Sequence, residues 1–388
     1  MDKKRIFLDY AASTPVSKRA LEAYINATKF FANPQALHTE GLEAARVRDD
    51  ARAKIAKCLE VKSNELIFTS GGTEANNLAV IGHLNYLEEN GTDLNDVHVV
   101  VSSIEHPSVT DIFQPQIKRG LKITSVEPDE HGQIRAESVR DAIEENTVLV
   151  SIALVNSEIG VVQPIHAISK ILKEKNILLH IDACQGMYQS LIPKGLGVDL
   201  MSLDSGKMYG PRGVGVLYIA KDVKISPVLR GGSQENGLRP GTENVALYAG
   251  FAEAFEECKE FKDSEGDRLN LIREDLIKKL TERIEGVIIN GDSKKQTPHI
   301  LNISIPKIDS EYVSMFLDQR GLSLTTKSAC LEREEKTYSH VVKALGGEVW
   351  RSKNTLRLSF GRDTNGDQVD LIVEKIVEAV NTYQNFGK

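Results

Sequence analysis

Cysteine is scarce in this chain. Cys58, Cys184, Cys258 and Cys330 are the four among 388 residues, and no two have the C-x-x-C spacing. That excludes a disulfide framework and a zinc site of the usual kind, and predicts free thiols in a reducing cytoplasm. No apolar run reaches the length of a membrane span, so no membrane-spanning helix is expected. The opening Met1-Asp2-Lys3-Lys4-Arg5-Ile6-Phe7-Leu8-Asp9-Tyr10 lacks both the apolar stretch of a secretion signal and the Arg/Ser-rich helix of a transit peptide. Positive charge is also in deficit. Lys and Arg number 48 against 55 Asp and Glu, a formal charge of −7, and nothing resembles a basic stripe, so nucleic acid is not expected as a direct partner. Internal repeats and low-complexity tracts are missing too.

What is present describes an ordinary globular protein, 41% hydrophobic and 27% charged. The length calls for a large domain plus a smaller one. From about residue 65 to 220, short β-rich runs (Leu66–Thr69, Val97–Ser102, Thr147–Ala153, Ile177–Ile181, Val214–Ile219) alternate with helical patterns such as Ala136–Glu145 and Gln163–Lys175. Such alternation predicts an α/β fold with a mostly parallel sheet covered by helices, and ligands at the carboxyl ends of its strands. Beyond about residue 260 the pattern predicts two long charged helices, then strands at His299–Ile305 and Thr355–Phe360. A last helix follows, with an apolar stripe at Val369, Ile372, Val373, Ile376, Val377 and Val380. The expected division is a large domain over 15–260 and a small α+β domain formed by 1–14 and 261–388.

Asp182 ends the apolar run Ile177-Leu178-Leu179-His180-Ile181, and Lys207 follows 25 residues later in Asp204-Ser205-Gly206-Lys207-Met208-Tyr209-Gly210-Pro211. A loop lysine that can bond to an aldehyde, with a strand-end carboxylate that keeps a pyridine nitrogen protonated, is what a pyridoxal phosphate enzyme needs. Read alone, each is equally a strand cap and a solvated charge. Ser70-Gly71-Gly72-Thr73-Glu74 opens a helix after a strand, so Gly72 and Thr73 read as phosphate donors or as a plain capped turn. His106 lies just past a strand, placed to stack on a ring and move protons or to serve as a structural histidine. Asn156 and Gln185 are strand-end polar groups able to donate to a phenolate oxygen or to stabilise loops. Arg239-Pro240-Gly241-Thr242 suits the closing of a phosphate site, including one across a dimer interface. Arg357, inside the apolar run Leu356–Phe360, reads as a carboxylate fork or an edge charge. Cys330 precedes the polar Leu331-Glu332-Arg333-Glu334-Glu335-Lys336 and is either a nucleophile or an incidental surface thiol.

Taken in order along the chain, these stretches, with Leu8-Asp9-Tyr10-Ala11-Ala12-Ser13-Thr14-Pro15, Asn156-Ser157-Glu158-Ile159-Gly160 and Ser328-Ala329-Cys330, resemble the cysteine desulfurase family in its NifS/IscS-type branch. The resemblance covers nearly the whole chain. It implies the class-V aminotransferase-like, fold type I transferase architecture, with a seven-stranded sheet in the large domain. It implies pyridoxal 5'-phosphate on Lys207, Asp182 at the ring nitrogen, His106 on the ring, Gln185 and Asn156 beside the phenolate oxygen, and Arg357 on the substrate carboxylate. Phosphate contacts are implied for Gly72, Thr73 and the loop before Lys207, with Thr242 supplied by the partner subunit of a homodimer. The implied reaction converts L-cysteine to L-alanine and leaves a persulfide on Cys330. Acceptor proteins then take the sulfur for iron–sulfur cluster assembly or for tRNA or cofactor thiolation, and Cys330 is a candidate transient ligand to a cluster on a scaffold. No resident metal is implied, and the expected location is the cytoplasm.

Two stretches depart from the family pattern. Asp204-Ser205-Gly206 stands where Ser-Gly-His is usual, and the segment around Cys330 is charged, with Lys327 before Ser328. Because a carboxylate beside a phosphate is repulsive, the expectation is that Asp204 turns away towards Arg212. The Ser205 hydroxyl and the Gly206 amide then take the phosphate. A selenocysteine lyase or other pyridoxal phosphate enzyme on the same fold is one alternative, and a degenerate scaffold homologue is another.

Overall fold

The structure, a computed structural model, describes residues 5–326 and 338–386. Twelve strands are present among these residues: β1 (Ile6–Phe7), β2 (Leu66–Thr69), β3 (His98–Ser102), β4 (Lys122–Val126), β5 (Thr147–Ala153), β6 (Leu178–Asp182), β7 (Leu200–Asp204), β8 (Gly215–Ile219), β9 (Ile288–Ile289), β10 (Ile300–Ser304), β11 (Leu322–Ser323) and β12 (Thr355–Ser359). Seven form the main sheet in the order β2-β8-β7-β6-β5-β3-β4. The β7-β6-β5-β3-β4 pairings are parallel, and β8 runs antiparallel to both of its neighbours.

The strands are apolar on both sides because helices cover both faces. Val100, Val150, Met201 and Val216 point into one buried cluster, and their sequence neighbours Val99, Leu149, Leu200 and Leu217 point into another, the period-two alternation of a pleated strand. A third cluster lies under the antiparallel β12-β10-β9 sheet and takes in Ile6 and Leu8, Leu269–Leu280 positions and the stripe of the C-terminal helix Val369–Phe386. No helix among the described residues is long and apolar enough to cross a membrane.

Two expectations need correction. The two charged helices are a single 39-residue helix, Val245–Arg283. Its buried face runs from Val245 to Cys258, lapses, and resumes from Gly266 to Leu280. The lapse reads as a break in sequence but is the passage of one helix from the first cluster to the third. Strands β4 and β7 were not anticipated. β4 is an edge strand with polar, partly exposed residues, and β7 leads directly into the lysine turn.

Candidate functional site

Strands β2, β3, β5, β6 and β7 all end on the same side of the sheet. Their ends and the turns beyond them enclose a cavity of about 330 Å³ lined by Gly72, Thr73, His106, Asn156, Asp182, Gln185, Gly206, Lys207 and Arg357, among others. Nine of the twelve expected site residues are therefore brought together. Ser205 and Thr242 do not line the cavity, and Cys330 lies outside the described residues.

The lysine turn is clasped by the N-terminal segment. Thr14 N–H and Oγ1–H both donate to Gly206 O, at 2.9 and 3.1 Å, and Tyr209 N–H donates to Thr14 Oγ1 at 2.8 Å. Tyr209 sits at φ 57°, a left-handed conformation that a tyrosine adopts at a cost of about 1–3 kcal/mol and that these bonds hold in place. The Lys207 ammonium donates to Ala11 O at 3.0 Å and Ala12 O at 2.6 Å. Its amine therefore stands at the cavity edge with its position set by backbone.

Asp182 is held at both oxygens. Cys184 N–H donates to Oδ1 and Asn76 Nδ2 to Oδ2, each at 2.9 Å. Asn76 also donates to Ser108 Oγ at 3.0 Å. His106 caps helix Pro107–Ile117: its Nδ1 accepts from Ser108 N–H at 3.1 Å and from the Ser108 hydroxyl at 2.8 Å. The neutral imidazole therefore carries its proton on Nε2. Burial lowers the His106 pKa, with the Asp182 charge pulling the other way, so the ring is neutral at neutral pH. Asn76 thus joins the aspartate to the histidine. Its only sequence signal was a place early in the helix, four residues after Gly72.

Gln185 Nε2 donates to Ala11 O at 2.7 Å, and its Oε1 faces His299 Nε2 at 3.2 Å. Burial pushes His299 down to about 3, so its neutral ring donates here and fixes the amide orientation. Asn156 Oδ1 accepts from the amides of Glu158 and Ile159, and its Nδ2 donates to Ile104 O. Each side chain is thus locked and keeps one amide N–H for a ligand. Arg357, 2% exposed, donates from Nη1 to Ser157 O and from Nη2 to Asp9 Oδ1, both at 2.9 Å. The expected carboxylate fork already holds a carboxylate, that of Asp9, a partner 348 residues away in sequence.

The phosphate end corrects the expectation most sharply. Asp204 does not turn towards Arg212. Its Oδ2 accepts from Gly72 N–H and its Oδ1 from Gly206 N–H, both at 2.8 Å. These amides are strong donors at a helix start and a tight turn, and the carboxylate takes both. The Ser205 hydroxyl faces away from the cavity, fully buried and without a partner among the described residues. It fills the space beside Gly210, where a Cβ would come within 2.1 Å of it. Thr73 does face the cavity, whereas Thr242 is exposed elsewhere on the surface. The residues therefore fit the ring and aldehyde end of pyridoxal phosphate, while the anion end is already filled by Asp204.

Cys184 also lines the cavity. Its thiol is raised well above the ordinary value, by burial first and then by the charges of Asp182 and Asp204, so it stays protonated.

Glu105, absent from the expected set, is buried directly before His106, and its Oε1 accepts from Ala153 N–H at 2.9 Å. Burial pushes its pKa up to about 8. Below an ordinary carboxyl value both the folded and unfolded chains carry this proton. Between that value and about 8 only the folded chain does, so stability falls as pH rises across this window and levels off above it. Glu105→Gln is expected to remove this slope, by up to about 1.4 kcal/mol per pH unit. Urea midpoints of both proteins across the window test it, and identical slopes would refute it.

The residues at 6–372 match the family model described as aminotransferase class-V. The chain is 37% identical over 387 residues to cysteine desulfurase IscS of Dictyoglomus turgidum, covering 98% of this chain and 96% of that one. It is 36% identical to the mitosomal cysteine desulfurase of Encephalitozoon cuniculi, covering 97% of this chain and 87% of the relative. Among solved structures, a NifS-like protein superposes with a TM-score of 0.90 at 30% identity, over 97% of this chain and all of the other (100%). A structure titled SspA in complex with cysteine does so with a TM-score of 0.77 at 32% identity, over 91% and 98%.

Proposed function

We infer from its membership of the class-V aminotransferase family, among the cysteine desulfurases, that this chain is a cysteine desulfurase that depends on pyridoxal phosphate. It converts L-cysteine to L-alanine and passes the sulfur to acceptors such as those that build iron–sulfur clusters. The observation that carries the reading is the convergence of Lys207, Asp182, His106 and Arg357 on one cavity at the strand ends.

When bound, pyridoxal phosphate supplies an aldehyde that takes an amine and a ring that draws electrons from the substrate Cα. The chain supplies the rest. Lys207 would hold the aldehyde, and its amine would move the proton at the substrate Cα. Asp182, anchored by Asn76 and the Cys184 amide, would keep a proton on the ring nitrogen. His106 would lie against the ring as a neutral imidazole, and Gln185 and Asn156 would offer their remaining amide protons to the phenolate oxygen. Arg357 exchanges Asp9 for the substrate carboxylate, a like-for-like swap that keeps the buried guanidinium paired. Thr325 is bonded to Arg357, N to O at 3.4 Å and O to N at 2.7 Å. Cys330 is five residues further on, a reach of up to about 17 Å, so the chain is long enough to bring its thiol to the substrate sulfur. There its thiolate would form an S–S bond to the substrate sulfur as the Cβ–S bond breaks, the electron pair staying on the carbon that takes a proton to become the alanine methyl group, which leaves a persulfide on Cys330.

The separate apolar cluster beneath β12-β10-β9 supports the division into a large domain, 15–260, and a small one, 1–14 with 261–388. Thr242, exposed and outside its own cavity, is the residue through which a partner subunit reaches the phosphate of a homodimer. Sedimentation is expected to give a dimer, and a fully active monomer would overturn this assignment. The activity itself is tested by incubating the protein with L-cysteine, a thiol reductant and pyridoxal phosphate. Equal amounts of alanine and sulfide are expected. Amino transfer to a keto acid without sulfide would overturn the reading.

A further inference from the structure

Two separate loops bring a backbone amide to the same point. Gly72 is the first residue of helix Gly72–Glu89, after β2, and Gly206 belongs to the lysine turn after β7. Both amides point at one carboxylate, Asp204, at 2.8 Å each. The fit is close. A Cβ at Gly71 would come within 3.0 Å of Asp204 Oδ2, and one at Gly72 within 2.5 Å of Cys184 Sγ. Asp204 also lines the cavity beside Arg212 and Gly213. The place where helix dipole and backbone donors favour an anion is thus occupied by an anion of the chain itself.

Resting on the pyridoxal phosphate reading above, we propose that Asp204 is an internal competitor for the cofactor phosphate, so that this protein gains little from the phosphate and exchanges its cofactor readily. A phosphate that enters this site meets one of two costs. Asp204 leaves and gives up two charge-assisted hydrogen bonds, or it stays and repels the newcomer. An unphosphorylated pyridoxal meets neither, because its contacts lie at the ring end, with Lys207 and Asp182. Asp204 is therefore a specificity-determining residue whose charge sets the preference between the phosphorylated and unphosphorylated forms.

The experiment uses the full-length protein stripped of cofactor, with Asp204→Ser and Asp204→Asn beside it. Each is titrated with pyridoxal phosphate and with pyridoxal, following the visible absorbance of the lysine-bound aldehyde. A chase with excess ligand then measures release. Asp204→Ser is expected to bind pyridoxal phosphate at least about tenfold more tightly than wild type while pyridoxal affinity stays within about twofold, a selective gain of about 1.4 kcal/mol. Asp204→Asn keeps an oxygen acceptor but no charge, so it is expected to move the same way and decides the matter if the serine variant is poorly folded. Release of pyridoxal phosphate slows in both. An unchanged ratio of the two affinities in the variants overturns the proposal and leaves the function standing. If neither compound bonds to Lys207 in any of the three proteins, the cofactor reading falls and this inference with it.

Discussion

Lys207→Ala is expected to stop alanine formation, with a fall in rate of at least about 10³-fold, because one residue holds the aldehyde and moves the Cα proton. The wild-type side chain is fixed by Ala11 O and Ala12 O at 3.0 and 2.6 Å, so removing it leaves two carbonyls and no base in reach of the same point. His106 cannot substitute, since its Nδ1 is committed to Ser108 and its Nε2 carries the proton, which leaves no free lone pair to take one. The measurement pairs alanine release with borohydride trapping of the bound cofactor. Wild type is expected to retain the cofactor covalently after reduction and the variant to lose it on dialysis. Alanine release by the variant at the wild-type rate would place the essential amine elsewhere.

Cys330→Ser is expected to bind cofactor and cysteine as wild type does, yet to make no persulfide and to lose sulfide production by at least about 100-fold. A hydroxyl is a far poorer nucleophile towards sulfur than a thiolate. The competing candidate is Cys184, which the structure places on the cavity wall. Burial and two neighbouring carboxylates keep its thiol protonated, and Cys258, also buried, is pushed up to about 12. Cys184→Ser should therefore retain most of the activity. Peptide mass analysis after a single turnover should find the extra sulfur on the Cys330 peptide. Sustained sulfide release by Cys330→Ser, or labelling at Cys184, would shift the nucleophile.

Much of the fold was legible because the signals are local. Leu66–Thr69 and Thr147–Ala153 are mostly apolar runs that match β2 and β5 residue for residue, since a strand buried on both faces is rich in apolar residues. Lys122–Val126 was missed because an edge strand needs no such run, and helix Val245–Arg283 was split in two because its buried face is interrupted between two cores. In the site, Asp182 and Lys207 could be read from residue type at a strand end and in a glycine-bounded turn. Asn76 between Asp182 and His106, Asp9 on Arg357, and His299 on Gln185 could not. Those pairs lie 106, 348 and 114 residues apart, and only the packing of the whole chain decides that they meet.

Asp204 marks the boundary most clearly. By itself the sequence determined that an acid stands before the lysine, and charge repulsion then argued that it should avoid an anion site. Only the tertiary structure decided that the amides of Gly72 and Gly206 converge on that acid. A carboxylate goes to the nearest unpaired donors, and which donors are nearest depends on how two distant turns pack together rather than on either turn alone.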